Sequence, residues 1–171
     1  MNSISGVVVG IVIDLEDPDK LGRIKVNFPW LSGNNSSQWA RVSTLMAGKD
    51  RGSWFMPELE DEVLVAFDHG NLQHPFIIGF LWNGADRPPS EQTRERMLRS
   101  RNGHTIRFLD STPDQGDLGA LVIEDAHGNH ITLSNGKITI KSQAVLELNA
   151  PVVMVKGPGY QRIVSPINSP L

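Results

Sequence analysis

Apolar and polar residues alternate with a period of two along most of this chain, which is the pattern of β-strands with one buried face. The alternation is clearest in Arg23–Phe28, where Ile24, Val26 and Phe28 share one face. A continuous β-branched run, Val7–Ile13, indicates a strand that is buried on both faces or curled in a barrel. Asp, Pro, Gly and Asn residues separate such runs. The pattern therefore predicts short strands joined by tight turns.

The first 84 residues are predicted to hold five or six of these strands. Roughly five short strands in about 80 residues, with a turn every 8–12 residues, are typical of a small barrel or sandwich. We therefore interpret residues 1–84 as one all-β domain. Besides the two runs above, its predicted strands are Trp39–Leu45, Trp54–Met56, Glu62–Phe67 and Pro75–Trp82, with a loop at Ala47–Gly52.

Residues 85–101 change character, because they contain few apolar side chains to bury. Two prolines open the segment, and it then becomes rich in arginine. We predict a linker here, with at most one helical turn within Pro89–Arg99.

From Asn102 onward, pairs of apolar residues two positions apart recur along the chain. The last four pairs begin at residues 131, 138, 146 and 153, and turn residues lie between them. Steps of seven or eight residues are typical of a repeat made of one short strand and a corner. The pairs are Ile106/Phe108, Leu121/Ile123, Ile131/Leu133, Ile138/Ile140, Leu146/Leu148 and Val153/Val155.

One apolar pair per strand makes a face that is too narrow to close a core within a single chain. About 55 residues of such repeat would form a thin ribbon with exposed edges, marginally stable alone. Three copies around an axis would bury every pair, and each fully buried Ile, Leu or Val contributes about 1.5–3 kcal/mol. The pattern therefore predicts an obligate homotrimeric β-prism over residues 102–156, with those twelve residues as the trimer core.

Composition narrows the function classes. The 171 residues include 16 Lys and Arg, 19 Asp and Glu, and no cysteine. A net charge of -3 argues against a general nucleic-acid binder, which usually carries a basic surplus. Without cysteine, disulfides and cysteine zinc sites are excluded. There is no apolar run of about 18 residues and no basic signal-peptide region, so we expect synthesis in the cytoplasm without export by that route.

The candidate chemical sites are weak. His127 and His130 could hold a metal, but the two-residue period turns His130 away from the face of Ile131, which favours a solvated turn. The acidic turns Asp14–Asp19 and Glu58–Glu62 could supply the paired carboxylates of a glycoside hydrolase, yet no insertion builds a cleft around them. Nucleophile-elbow, phosphate-loop and zinc-protease motifs do not occur. We therefore expect no catalytic residue, no cofactor and no metal.

Seven separated blocks of the first domain carry a family likeness. In their order and spacing they resemble the OB domain of the phage baseplate assembly protein V family, which includes the OB segment of type VI secretion valine–glycine-repeat spike proteins. The likeness covers residues 5–90, and the repeat that follows resembles the triangular β-helix of those spikes. The blocks are Asp17-Pro18 with Leu21–Trp30, Trp39–Val42, Ala47-Gly48, Gly52–Glu58, Asp61–Phe67, His74–Gly79 and Trp82–Gly84.

The resemblance implies an all-β protein with an N-terminal OB-fold barrel followed by an intertwined trimeric triangular β-helix. It implies a structural central spike of a contractile injection machine, a phage tail or phage-tail-like particle, that punctures the target cell envelope mechanically. Some relatives insert a muramidase domain between the two parts, and the short linker here leaves no room for one. The resemblance therefore implies a protein that is not an enzyme, made in the bacterial cytoplasm and incorporated into a baseplate.

The departures from the family pattern suggest the partners. Larger relatives carry an N-terminal hub domain, whereas the predicted OB strands here begin almost at Met1. We therefore expect a separate baseplate hub protein. Relatives with a needle tip bind iron through a His-x-His triplet, which is absent here, so we expect a separate tip protein of the Pro-Ala-Ala-Arg repeat type. Residues 157–171 would form the distal tip, and its candidate contacts are Ile163, Val164, Ile167 and Leu171.

A nucleic-acid-binding OB module with a trimerisation tail is the alternative. OB folds bind single strands through aromatic residues and a basic groove. Residues 1–70, however, hold six Lys and Arg against ten Asp and Glu, which repels phosphates. We therefore favour core, trimer or hub contacts for the aromatic residues Phe28, Trp30, Trp39, Trp54 and Phe55. A polysaccharide-degrading spike enzyme is a second alternative.

Overall fold

The computed structural model describes residues 4–33, 36–112, 114, 116 and 118–164, with backbone only for residues 160–164. The described residues form strands and a single 3-10 turn, Asp68–Gly70, which confirms the all-β prediction. None of them forms a helix of the length and hydropathy that a bilayer crossing requires. The chain divides into two compact units, Met1–Pro88 and Pro89–Leu171.

The first unit is a closed five-stranded barrel with the strand order β1-β2-β3-β7-β6. Strand β1 pairs with both β2 and β6, and all its pairings are antiparallel, whereas β3 and β7 run parallel. A small five-stranded barrel of this kind is the architecture of an OB fold, as expected. The strands of the unit are β1 (Val7–Asp14), β2 (Arg23–Asn27), β3 (Ala40–Val42), β4 (Ala47–Gly48), β5 (Arg51–Gly52), β6 (Glu62–Phe67) and β7 (Pro75–Leu81).

The barrel buries one face of each main strand. Ile24 and Val26 are fully buried and Phe28 is nearly so, as their alternation predicts. A Cβ on Gly10 would lie 3.2 Å from Val26, so the chain comes close to the core there without a side chain. The core consists of Val12, Ile24, Val26, Phe28, Ala40, Val63, Val65, Phe67 and Ile77.

Two details of the barrel differ from the prediction. The segment Trp54–Met56 is not a strand, and the predicted loop Ala47–Gly52 contains the β4–β5 hairpin. The hairpin closes because Asp50 takes a positive φ of 54°, which Asp tolerates better than most residues. The run is apolar like a strand, but Trp54 and Phe55 are exposed, Met56 packs against the barrel core, and the segment belongs to no strand.

The turn between β1 and β2 is organised by the carboxylate of Asp17. Its Oδ2 accepts hydrogen bonds from the backbone N–H groups of Leu21 and Arg23, at 2.9 and 3.2 Å, and from Arg23 Nε at 3.1 Å. Its Oδ1 accepts a bond from Arg23 Nη2 at 2.6 Å. Arg23 also pairs with Asp19 at 2.5 Å. The Arg23 guanidinium, together with these backbone donors, holds the pKa of Asp17 well below its ordinary value.

The second unit is an antiparallel meander. Five strands follow one another in chain order across one sheet, and a separate two-stranded hairpin follows them. The strands of the sheet are β8 (Glu95–Arg99), β9 (Thr105–Leu109), β10 (Ala120–Glu124), β11 (His130–Ser134) and β12 (Lys137–Lys141), and those of the hairpin are β13 (Val153–Gly157) and β14 (Tyr160–Val164).

The structure corrects the prediction for residues 85–101. Strand β8 lies inside the predicted linker, and no helical turn forms within Pro89–Arg99. The strand forms because Leu98 falls opposite Ile106 and Met97 opposite Arg107 in the ladder with β9. The alternation of β8 is hard to recognise in the sequence because Glu95, Arg96 and Arg99 are charged. The outer limits of the predicted domains, at residues 84 and 156, stay predictions.

Two of the turns interpreted as corners of a solenoid, between β10 and β11 and between β11 and β12, are hairpin turns. Asn135 and Gly136 both have positive φ, 50° and 72°, which is the requirement of the two-residue turns that fit the twist of antiparallel strands. The pair Leu146/Leu148 was predicted to lie on a strand, but the structure has no strand between β12 and β13, so this prediction is wrong. Residues 160–164, expected in the tip, pair with β13.

Protonation of Asp17 is expected to weaken the barrel. The pKa of Asp17 is lower in the folded chain than its ordinary 3.8. The ionised carboxylate therefore stabilises the fold fully above about pH 5, and this stabilisation is lost as the pH falls from about 5 to the lowered pKa. Asp17→Asn should lower the urea midpoint at pH 7 and reduce its pH dependence between about pH 5 and 2. Asp50→Asn, on the exposed β4–β5 hairpin, is the matched control and should keep the wild-type profile. An Asp17→Asn curve parallel to wild type would contradict the assignment.

A side chain at Gly22 is expected to be destabilising for two separate reasons. Gly22 has a φ of 71°, and a Cβ there would lie 2.9 Å from Cζ3 of Trp54. Gly6→Ala meets only the first problem, because its φ is 83° and nothing lies within 4 Å. We expect about 1–2 kcal/mol for Gly6→Ala and a clearly larger loss for Gly22→Ala in denaturant titrations. Equal losses would show that the Trp54 contact is unimportant.

Candidate assembly face

Eight of the twelve predicted trimer-core residues lie together on one face of the five-stranded sheet. The cross-strand register places them in two straight rows over β9, β10, β11 and β12. We call this the assembly face. Its first row is Ile106, Ile123, Ile131 and Ile140, and its second row is Phe108, Leu121, Leu133 and Ile138.

The assembly face is uncovered within one chain. Exposure of its side chains reaches 67 % at Ile138, and even Ile131, near the middle, is 37 % exposed. The row of isoleucines is extended by Leu98 on β8, which lies opposite Ile106. A contiguous apolar surface of this kind marks an interaction site rather than ordinary surface variation.

The opposite face of the same sheet is closed by its own ion pairs. Arg107 Nη2 donates to Glu124 Oε2 at 2.5 Å, and Arg107 Nη1 donates to Glu95 Oε1 at 3.4 Å. Ser90 Oγ donates to the second oxygen of Glu95 at 2.5 Å. Val122, opposite Arg107 in the ladder, is buried on this face. The charges of Arg107, Glu95 and Glu124 are therefore paired within the chain, whereas the apolar face of the sheet stays exposed.

The two histidines considered as metal ligands lie at the β10–β11 turn. Asp125 closes this turn by accepting bonds from the N–H groups of His127, at 2.8 Å, and Asn129, at 2.9 Å, and from Asn129 Nδ2 at 2.6 Å. These bonds, that of the Asn129 side chain foremost, lower the pKa of Asp125. His130 begins β11 on the face opposite Ile131. Within the part of the chain that the structure describes, no three His, Asp or Glu side chains come together as metal ligands.

The other four predicted core residues lie apart from the assembly face. Leu146 and Leu148 are more than half exposed in the strandless segment after β12, and Val153 and Val155 lie on β13. Of the predicted tip residues, Ile163 and Val164 lie on β14, opposite Met154 and Val153. Ile167 and Leu171 lie outside the described residues. Whether these residues serve a core or a tip stays a prediction.

The barrel aromatics have different environments. Phe28 is a core residue, 5.6 Å from both Phe67 and Trp30 between ring centroids. The indole of Trp30 donates to the carbonyl of Val9 at 3.3 Å, and Lys25 lies 4.9 Å from the ring centre of Trp39. Trp54 and Phe55 are exposed beside the β4–β5 hairpin.

Sequence reasoning missed the ion pairs and Leu98. The sequence contains part of the signal for these ion pairs, because Arg107 and Glu124 are single charged residues next to apolar pairs. What was missing is the strand pairing, since Glu95 lies twelve residues from Arg107 and becomes its neighbour only in the β8–β9 ladder.

The comparison with known families agrees with the barrel geometry. Residues 8–82 match the family model of the type VI secretion system/phage-baseplate injector OB domain. The match begins in β1 and ends just after β7, so it spans the closed barrel. The barrel of this chain is an OB domain of this injector family. The resemblance stated from the seven sequence blocks is thereby confirmed.

Two of the relatives to which the chain is similar are named as type VI secretion system spike proteins, and a third is named as a toxin. The type VI secretion system spike protein VgrG1a of Pseudomonas aeruginosa is 40% identical over 91 residues, 51% of this chain and 14% of the relative. VgrG5 of the same organism is 32% identical over 128 residues, 72% of this chain and 15% of the relative. The actin cross-linking toxin VgrG1 of Vibrio cholerae is 36% identical over 89 residues, which are 8% of that protein. This chain thus spans a small part of the length of each relative.

Removing the central arginine of the polar face is expected to loosen the sheet. Arg107→Gln leaves the carboxylates of Glu95 and Glu124 without their shared cation, and we expect a loss of about 1–3 kcal/mol because the pairs are only partly exposed. Hydrogen exchange of the β9 and β10 amides measures this local stability. Arg96→Gln is the control, because its pair with Asp110 is exposed on both sides and should contribute less than about 0.5 kcal/mol. Equal exchange in both variants would contradict a stabilising role for Arg107.

Proposed function

We propose that this protein is the structural central spike of a contractile injection machine, a phage tail or phage-tail-like particle. The proposal rests on one combination: an injector OB barrel, in the same chain as a sheet whose apolar face is left open. In the proposed arrangement the barrel seats the spike on a hub protein, and the sheet unit contributes to the shaft that enters the target cell envelope. The protein acts mechanically and is not an enzyme.

Three copies cover the assembly faces in this proposal. The face is two residues wide and four to five strands long, which suits one wall of a narrow three-sided prism better than an independent core. Each chain supplies one antiparallel wall, and the rows of Ile131 and Leu133 point towards the common axis. Further burial of these side chains supplies the free energy of association.

The segment after β12 supplies a reason for the walls to intertwine. Leu146 and Leu148 keep the two-residue alternation of a strand, yet the segment pairs with no strand among the described residues. The sheet itself ends in two open edges, β8 and β12. Open edges and an unpaired strand-like segment favour pairing between chains. In the trimer this segment would pair with a neighbouring copy, beyond the antiparallel walls.

A ladder-bonded trimer around a dry core fits a load-bearing rod. Loading it requires many backbone hydrogen bonds to yield together, because the inner strands β9, β10 and β11 are each held by neighbours on both sides. The remaining partners follow from the same proposal: a baseplate hub at the barrel, and a Pro-Ala-Ala-Arg repeat tip protein at the predicted tip residues. The phage particle or the phage-like particle would be the site of its function.

Trimer formation is expected to depend on the assembly face. Light scattering of the wild-type chain should give three times the 18.8 kDa subunit mass. Ile138→Asp should shift the mass towards one subunit, because each of the three copies would place a carboxylate in the apolar core of the trimer. The single chain should still fold, since Ile138 is largely exposed in it.

Thr139→Asp is the matched control, since Thr139 is the next residue of the same edge strand and faces the opposite side. It should keep the wild-type mass. A wild-type mass of one or two subunits, or equal masses for the two variants, would contradict the proposed prism.

A further inference from the structure

A second set of exposed apolar side chains lies at one end of the barrel. Strands β1, β3 and β7 end there and β2 and β6 begin there, because Arg23 pairs with Arg41, Ile11 with Glu62 and Glu62 with Leu81. The β4–β5 hairpin and the turn before β6 therefore project from the same end. Neither surface belongs to the assembly face.

The hairpin is an apolar arm with a basic tip. Leu45, 94 % exposed, and Met46, Trp54 and Phe55, all more than half exposed, flank it. It is anchored at its base, where Ser53 N donates to Met46 O at 2.9 Å and the Trp54 ring packs on Gly22. Its tip carries two cations, Lys49 and Arg51, and one carboxylate, Asp50.

The turn before β6 has the complementary character. Leu59 is exposed between Glu58 and Glu60, and the turn continues into Asp61 and Glu62 with no cation among these residues. Asp61 stabilises it by accepting a bond from Glu58 N–H at 2.8 Å. We call Pro57–Glu62 the acidic turn.

Among the described residues, the hairpin cations Lys49 and Arg51 take part in no ion pair. The ion pairs of Arg23, Arg96 and Arg107 lie elsewhere in the described part of the chain. A basic arm and an acidic turn at the same end of one barrel are complementary between copies. Both surfaces also present exposed apolar residues, which association would cover.

We propose that the β4–β5 hairpin of one copy docks on the acidic turn of a second copy of this chain. Because the two surfaces differ, the contact is head-to-tail, and a threefold rotation closes it into a ring without a free surface. Leu45, Met46 and Phe55 would cover Leu59, while Lys49 and Arg51 would meet the surrounding carboxylates. This inference rests on the proposed trimer and adds a second interface, between barrels, that does not use the assembly face.

Cysteine cross-linking tests the contact directly, because the chain has no cysteine of its own. Lys49→Cys and Glu60→Cys chains are co-expressed, oxidised mildly and separated on a non-reducing gel, with the mass measured by light scattering. We expect a disulfide-linked dimer in the co-expressed sample and little in either variant alone. Lys49→Cys with Gln73→Cys is the matched control, because Gln73 lies in the β6–β7 turn at the other end of the barrel.

A charge reversal tests the role of the basic tip. Arg51→Glu in both co-expressed chains should reduce the yield of cross-linked dimer at least about tenfold, because like charges would then face each other. Lys20→Glu, a charge reversal in the β1–β2 turn, should leave the yield within about twofold if the contact is made by the hairpin tip.

The outcomes separate the two proposals. A trimer with the 49–60 link and without the 49–73 link supports the docked hairpin. A trimer without the 49–60 link, or with equal yields of both links, overturns the hairpin contact and leaves the spike proposal standing, with the hub protein as the occupant of this surface. A mass of one or two subunits overturns both.

Discussion

A β-sheet has two faces, and the second unit of this protein covers only one of them. Arg107 is paired with Glu95 and Glu124 on the polar face, whereas the two apolar rows are largely exposed and no other described strand layer packs on them. A single sheet cannot bury an apolar face without a second layer, because folded domains are built from at least two packed layers. In the proposed spike, further copies of the chain supply the missing layer, and the role of the sheet as part of a shaft depends on that contact.

The barrel meets the same constraint in a different way. Closure of β1 on both β2 and β6 turns one strand face of every main strand inward, so nine side chains form a core without help from another copy. The Asp17–Arg23 pair then holds the β1–β2 turn in place. One chain thus combines a unit with a closed core and a unit with an exposed apolar face.

Family membership and geometry support different parts of the functional argument. The injector OB domain is matched over residues 8–82, and the spike protein VgrG1a is similar to this chain over 91 residues. The sheet adds what the family match does not reach, an uncovered apolar face in a chain that carries the injector barrel. The toxin activity in the name of one relative belongs to a protein of which this chain covers 8%.

The sequence by itself determined which side chains face inward. The alternation in Arg23–Phe28 placed three core residues correctly, and the spacing of Ile131/Leu133 and Ile138/Ile140 placed both pairs on one apolar face. Only the tertiary structure decided which strands are neighbours: that Glu95–Arg99 joins the sheet, and that Asn135-Gly136 is a hairpin turn. A period of two specifies the face of a strand, because side chains alternate along it, but the pairing partner depends on backbone positions that lie far away in the chain.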